Sequence, residues 1–185
     1  MNKDYLFVIP PSDAVYLQVS RYKSKVAEII GDYDGMNSKA HITVQNIAKK
    51  DPLEVEVALQ TIKKRMSELP CISIGVNGFN YFQHGETMTI YAAIKGSYQI
   101  DNWFHSLKKC FGKCTLTVPH ITVARSLSID KFLKLWPKFR QLTYQDTFSA
   151  DKVLVFEKNT IADGKGYALI DIIYFKNEQN AVRLT

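Results

Sequence analysis

Long apolar runs are missing from this chain. The nearest candidate for a membrane span, residues 167–175, is too short and carries Asp171. The opening MNKDYLFVIPP holds too brief an apolar stretch for a secretory signal. Glycine and proline are sparse, nine and six residues, which excludes collagenous and low-complexity classes. Cysteine is scarcer still. Cys71, Cys110 and Cys114 make an odd set, which fits a reduced compartment rather than a disulfide framework. Cys110 and Cys114 stand four apart in CFGKC, but no histidine or second cysteine pair completes a zinc pattern, so they are expected to be ordinary buried or half-buried thiols. A soluble, cytoplasmic monomer with no membrane partner is the expectation.

What is present is globular. Apolar residues make up 46% of 185 residues, with ten Tyr, ten Phe and two Trp, so a sizeable core can form. That length suits one domain, or two small lobes sharing a core. Lys and Arg outnumber Asp and Glu by 24 to 18, a formal charge of +6. The excess draws polyanions without identifying one. The bases are dispersed in short groups such as Lys49-Lys50 and Lys63-Lys64-Arg65, as on solvated helix faces.

Periodicity predicts two successive strand–helix–strand–helix–strand units. In the first, strands are expected at 5–9, 40–47 and 72–76. The first helix follows Ser12, a good cap, with Val15, Val19, Tyr22, Val26, Ile29 and Ile30 at helical spacing. The second follows Asp51-Pro52-Leu53-Glu54, where Asp51 can cap, Pro52 fits the first turn and Glu54 suits a capping box. In the second unit, strands are expected at 87–95, 117–125 and 152–158, with an extra strand at 167–175 after a DGKG turn. Its helices carry Ile100, Trp103, Phe104, Leu107, Cys110 and Phe111, then Phe132, Leu135, Trp136 and Phe139 after a Ser128 cap. Repetition of one unit points to internal duplication. The expected fold class is α+β: two pseudo-symmetric β-α-β-α-β lobes, about 1–82 and about 83–175, whose antiparallel sheets face each other across a central cleft.

Each unit carries the same tetrapeptide in its middle strand, His41-Ile42-Thr43-Val44 and His120-Ile121-Thr122-Val123. Alternate strand residues share a face. His41 with Thr43, and His120 with Thr122, therefore project together, while the Ile and Val residues turn to the core. Two such pairs directed at one region can supply a base, an acid and hydrogen-bond donors to a single reaction. Imidazole, with an ordinary pKa of about 6.5, suits the first two roles, and threonine hydroxyls suit the third. The sequence does not decide which histidine is acid and which is base. Two histidines without converging carboxylates or thiols make a poor metal set, so no metal or other cofactor is expected.

These residues resemble the 2H phosphoesterases, named for two His-x-Thr/Ser-x motifs on paired strands. Within them the chain is most similar to the 2′-5′ RNA ligase and RNA 2′,3′-cyclic phosphodiesterase group. Pro119-His120-Ile121-Thr122-Val123-Ala124-Arg125 is a close match to that group's second motif. The likeness follows the element order of nearly the whole chain, and around Gly78-Phe79 it is looser. It implies a two-lobed fold, a base and an acid among His41 and His120, and a phosphate role for Arg125. The implied substrate is an RNA end or a small cyclic nucleotide. Group members often follow the first motif with a Phe-Leu-Gly type stretch, where this chain has Gln45-Asn46-Ile47-Ala48.

The neighbours divide. Regular alternation puts Gln45 on the cleft face, where it would touch ligand or rim the cleft. It puts Arg125 on the opposite face, so only a bulge or strand end would bring Arg125 to phosphate. Phe79, Tyr81 and Phe82 could stack a base, with core packing the stronger expectation, as for Tyr174. His84 and His105 read as solvent residues. The loop DYDGMNS resembles a calcium loop only superficially and could act as a flap over His41. The rival class is a non-catalytic RNA- or nucleotide-binding module on the same scaffold. A purely structural duplicated domain would leave the repeated histidines unexplained.

Overall fold

Every helix begins on a side chain that satisfies an otherwise orphaned backbone N–H. In the computed structural model, which describes residues 2–112, 118–159 and 166–177, Ser12 Oγ accepts from the Val15 amide at 3.4 Å and opens helix α1 (Asp13–Ile30). Asp51 accepts from Leu53 at 2.8 Å and opens α2 (Pro52–Met66). Glu54 does not close a capping box; its carboxylate lies 3.6 Å from Lys50. Ser97 opens α3 (Tyr98–Lys109) and Ser128 opens α4 (Ile129–Phe139). The apolar stripes face inward as expected: Val15, Val19, Tyr22 and Val26 on α1, and Ile100, Trp103, Phe104 and Leu107 on α3, are buried. Pro137 falls in the last turns of α4. No described helix is long and apolar enough to cross a membrane.

Eight strands form one antiparallel sheet: β1 (Lys3–Ile9), β2 (Ile42–Lys50), β3 (Ile72–His84), β4 (Thr87–Ile94), β5 (His120–Leu127), β6 (Gln145–Ala150), β7 (Lys152–Asn159) and β8 (Ala168–Tyr174). Their spatial order is β6-β3-β4-β5-β2-β1-β7-β8. The α+β class and the element order therefore stand. Two elements differ from expectation. Strand β3 continues through the polar stretch Asn77–His84 to form a hairpin with β4. Strand β6 is an edge strand of sequence QDTFSA, pairing with β3. With one side unpaired, an edge strand tolerates polar residues and loses the apolar signature. Cys114, Thr117 and the Asp163-Gly164-Lys165 part of the expected turn lie outside the described residues.

A boundary near residue 82 does not follow the sheet. The third strand of each unit crosses to the other half: β3 pairs with β4, and β7 pairs with β1. One half is thus β6-β3-β4-β5 and the other β2-β1-β7-β8. Helices α1 and α4 cover the first half, while α2 and α3 contact the second. Helix α1 leaves β1 in one half, packs on β5 of the other, and returns to β2. The two halves are interlocked by their own chain and meet at one bridge, Ile42 opposite Ile121.

The core fills the helix-covered face. Phe7 meets Phe111 edge-on at 4.9 Å, and Phe79 packs against Tyr22, Phe139 and Tyr144. Ile42 and Ile121 are wholly buried. Because Ile121 sits at the joint and in the core together, Ile121→Ala is expected to destabilise the protein by about 2–5 kcal/mol, the usual range for a large-to-small change in a packed core. Chemical denaturation of the two proteins measures this, and a change below about 1 kcal/mol would show that the joint bears little.

Candidate active site

The bridge between Ile42 and Ile121 sets the register of the two central strands. In antiparallel order, one step to either side places His41 across from Thr122 and Thr43 across from His120. Both Ile residues point to the helices, so all four of these residues lie on the opposite, open face. The repeated motifs are thus related by an approximate two-fold axis through the joint.

Both imidazoles are held the same way. His41 Nδ1 lies 2.8 Å from the Lys39 carbonyl oxygen, and His120 Nδ1 lies 2.7 Å from that of Val118. A carbonyl only accepts, so each Nδ1 carries the proton and each Nε2 is left for the cleft. A neutral imidazole in this tautomer accepts a proton at Nε2; the charged form donates one from the same atom.

Burial lowers the pKa of both histidines, partly opposed by the carbonyl contact. For His41, the charges of Lys23, His120 and Arg125 lower it further. For His120 the further charge is that of His84. The register of the two strands sets His41 and His120 diagonally across the joint on the same face.

Arg125 reaches the open face through a bulge. In the β4–β5 ladder Tyr91 pairs with Thr122 and Ile90 with Ala124, so Val123 is an extra residue. Val123 and Ala124 are both buried and Arg125 is exposed on the side of Thr122. Strand β2 bulges at the matching place. Val8 pairs with Thr43 and Phe7 with Gln45, so Val44 is the extra residue. The same device that brings Arg125 in takes Gln45 out. Gln45 shares the face of buried Phe7, contrary to simple alternation, and Asn46 takes the open face beside Leu6. Asn46 is the two-fold counterpart of Arg125, a relation visible in the aligned stretches HITVQN and HITVAR.

A cavity of about 300 Å³ opens beside His120, bounded by Thr122, Arg125, Phe82, His84, Thr89 and Val118. Phe82 meets the His120 ring edge-on at 4.9 Å and stacks on Tyr91 at 4.2 Å. His84, expected to be a mere solvent residue, lies 5.8 Å from Phe82 and borders the cavity. His41 and Thr43 lie across the joint from it. Phe79 is in the core, Tyr81 packs on Phe132 and Trp136, and His105 is exposed on α3. Tyr174 is exposed on edge strand β8 with Lys152 over its ring.

The loop before His41 is fastened rather than loose. Lys23, only 4% exposed, donates to the carbonyl oxygens of Gly35 (2.9 Å) and Ser38 (2.7 Å) and to Ser38 Oγ (2.8 Å). Desolvation, with the nearby Arg125 charge, lowers its pKa to about 8. Tyr33 Oη lies within hydrogen-bond reach of the Lys23 and Val123 carbonyls. Asp34 pairs with Arg125 instead of joining a calcium set. Lys23, Tyr33 and Asp34 carry no motif. Only the fold reveals them. Among the described residues no three metal-ligating side chains gather. Cys110 is buried and Cys71 half-buried, both far from any ligand pattern.

Comparison with known proteins places this geometry. Residues 10–160 match the model of the 2′-5′ RNA ligase superfamily. Among solved structures, E. coli LigT in its apo form superposes with a TM-score of 0.67 at 11% identity, covering 95% of this chain and 98% of that one. TT0787 of Thermus thermophilus gives 0.72 at 13% identity, covering 95% and 99%. Kluyveromyces marxianus Usb1 gives 0.51 at 10% identity, covering 94% and 98%. No curated protein sequence matches significantly. At such identities the superpositions establish the shared fold. The family match covers most of the chain, and this protein belongs to the 2′-5′ RNA ligase superfamily.

Proposed function

We propose that the protein is a phosphoesterase that hydrolyses, or reversibly forms, 2′,3′-cyclic or 2′-5′ phosphodiester bonds of RNA ends or small nucleotides. The observation that carries this reading is the paired arrangement of two imidazoles, each anchored through Nδ1 with Nε2 free, on one open face. Family membership supports the class of reaction. LigT has been crystallised with 3′-AMP, which shows that a protein of this fold accommodates a nucleotide.

Hydrolysis on this geometry runs as one displacement. A water attacks phosphorus, and Nε2 of the neutral histidine takes its proton. The bond from phosphorus to one ribose oxygen breaks, and Nε2–H of the protonated histidine gives that oxygen its proton. The histidines end in exchanged protonation states, so the reverse reaction exchanges their roles. Thr43 and Thr122 donate to the phosphoryl oxygens, and Arg125 supplies the charge that these oxygens need. The acid–base pair accounts for every proton in this displacement.

Replacement of His41 or His120 by Ala is expected to lower turnover of an RNA with a 2′,3′-cyclic phosphate end by about 10²–10⁴, the scale of general acid–base loss. The assay is run in EDTA and the phosphate position of the product is identified. Full activity in either variant would overturn the assignment. Binding without turnover in the wild type would favour the non-catalytic module. Arg125→Ala is expected to raise KM by about 10–100-fold, as for loss of a charged hydrogen bond. An unchanged KM would remove Arg125 from the phosphate site. The pKa directions fix the pH behaviour as well. Each histidine loses its proton at lower pH than an ordinary imidazole, so both limbs of the kcat/KM profile are expected on the acid side of the ordinary histidine range. Limbs displaced to the basic side would contradict the burial of both rings.

A further inference from the structure

We infer that Asp34 is a specificity-determining residue: its carboxylate, held beside Arg125, makes the site favour a singly charged phosphodiester over a doubly charged phosphate monoester. The inference rests on the functional reading above, because it concerns the ligand of that same cleft.

The Asp34–Arg125 pair has the geometry of a fork. Nε to Oδ2 is 3.0 Å and Nη2 to Oδ1 is 3.1 Å. Its side chains are 58% and 55% exposed, respectively. Exposed pairs of this kind contribute little to stability, so folding alone does not account for it. The surrounding backbone is nevertheless committed to it. Tyr33, on one side of Asp34, is tied to the carbonyl of bulge residue Val123 at 3.1 Å. Gly35, on the other, is gripped at its carbonyl by buried Lys23. Gly35 has φ +84°, and a side chain there would bring Cβ within 3.2 Å of Arg125 Nε. The positive φ favours glycine at that place, and a Cβ there would crowd the guanidinium. Asp34 is therefore held at the guanidinium by its neighbours as well as by the pair itself.

The consequence is electrostatic. Arg125 borders the cavity at His120 and Thr122, where the phosphoryl group would sit. With Asp34 in place, Arg125 still offers its charge to a phosphoryl group, but a carboxylate of opposite sign stands beside it. A cyclic phosphodiester carries one negative charge. The monoester formed by its hydrolysis carries nearly two above its second pKa of about 6. A phosphoryl group held by Arg125 lies one guanidinium away from the Asp34 carboxylate, so its added charge is repelled. Substrate is retained in preference to product, and product leaves.

The test compares wild type with Asp34→Asn and Asp34→Ala, using the full chain. KM for 2′,3′-cyclic AMP and Ki for 2′-AMP and 3′-AMP are measured at pH 8 and pH 5. Removal of the charge is expected to lower the Ki/KM ratio by about five- to twentyfold at pH 8, from loss of one short-range charge interaction. At pH 5, where the monoester carries largely one charge, the ratio is expected to change less than about twofold. A ratio unchanged at pH 8, or changed equally at both pH values, would overturn the role of Asp34 while the phosphoesterase reading stands. A wild type that turns over no cyclic nucleotide would overturn that reading and this inference with it. Agreement between the two variants separates the effect of charge from any hydrogen bond that Asn retains.

Discussion

A single backbone pairing governs this molecule. Strands β2 and β5 meet only at Ile42 and Ile121, yet that contact joins the two halves of the sheet and aligns the two motifs. Everything on the open face inherits its register from this joint. If β5 slipped by one residue, the two histidines would turn to opposite faces, because the side-chain period of a strand is two. The paired isoleucines prevent this by being wholly buried under the helices. Core packing on one face is therefore what sets the chemistry on the other.

Duplication supplies the pairing and small departures supply direction. Both central strands bulge at the last residue of the motif, Val44 and Val123, so the bulge belongs to the repeated unit. Five residues beyond each histidine the open face receives Asn46 in one half and Arg125 in the other. The ring walls differ too: Phe82 and Tyr91 flank His120. An approximate two-fold axis would otherwise give two equivalent imidazoles. One-sided placement of cation and aromatic rings gives the open face two distinct ends.

Most of the fold was legible because its signals are local. Caps at Ser12, Asp51 and Ser128, the helical stripes and the twin HITV strands all announce themselves within a few residues. What escaped is non-local. The crossing of β3 and β7 between halves depends on which edges meet in space, and no window of sequence records it. Edge strand β6 lacked an apolar pattern. Gln45 was misplaced for a different reason: alternation was extended through a bulge, which costs one residue and flips the face. Arg125 and Asn46 occupy matching places in the two repeats, a relation legible in the aligned stretches HITVAR and HITVQN. His84 reached the cavity only because β3 runs longer than its apolar portion.

The charges around the motifs show how a basic chain fastens the loop before its first histidine. Lys23 is buried, an expensive place for an ammonium, and three oxygens of the Gly35–Ser38 segment satisfy its donors. That segment leads directly to Lys39, whose carbonyl accepts from His41. A buried cation thus positions the loop that orients one imidazole and, from behind, disfavours its protonation. Arg125 exerts the same influence on both Lys23 and His41, while its own guanidinium is paired with Asp34.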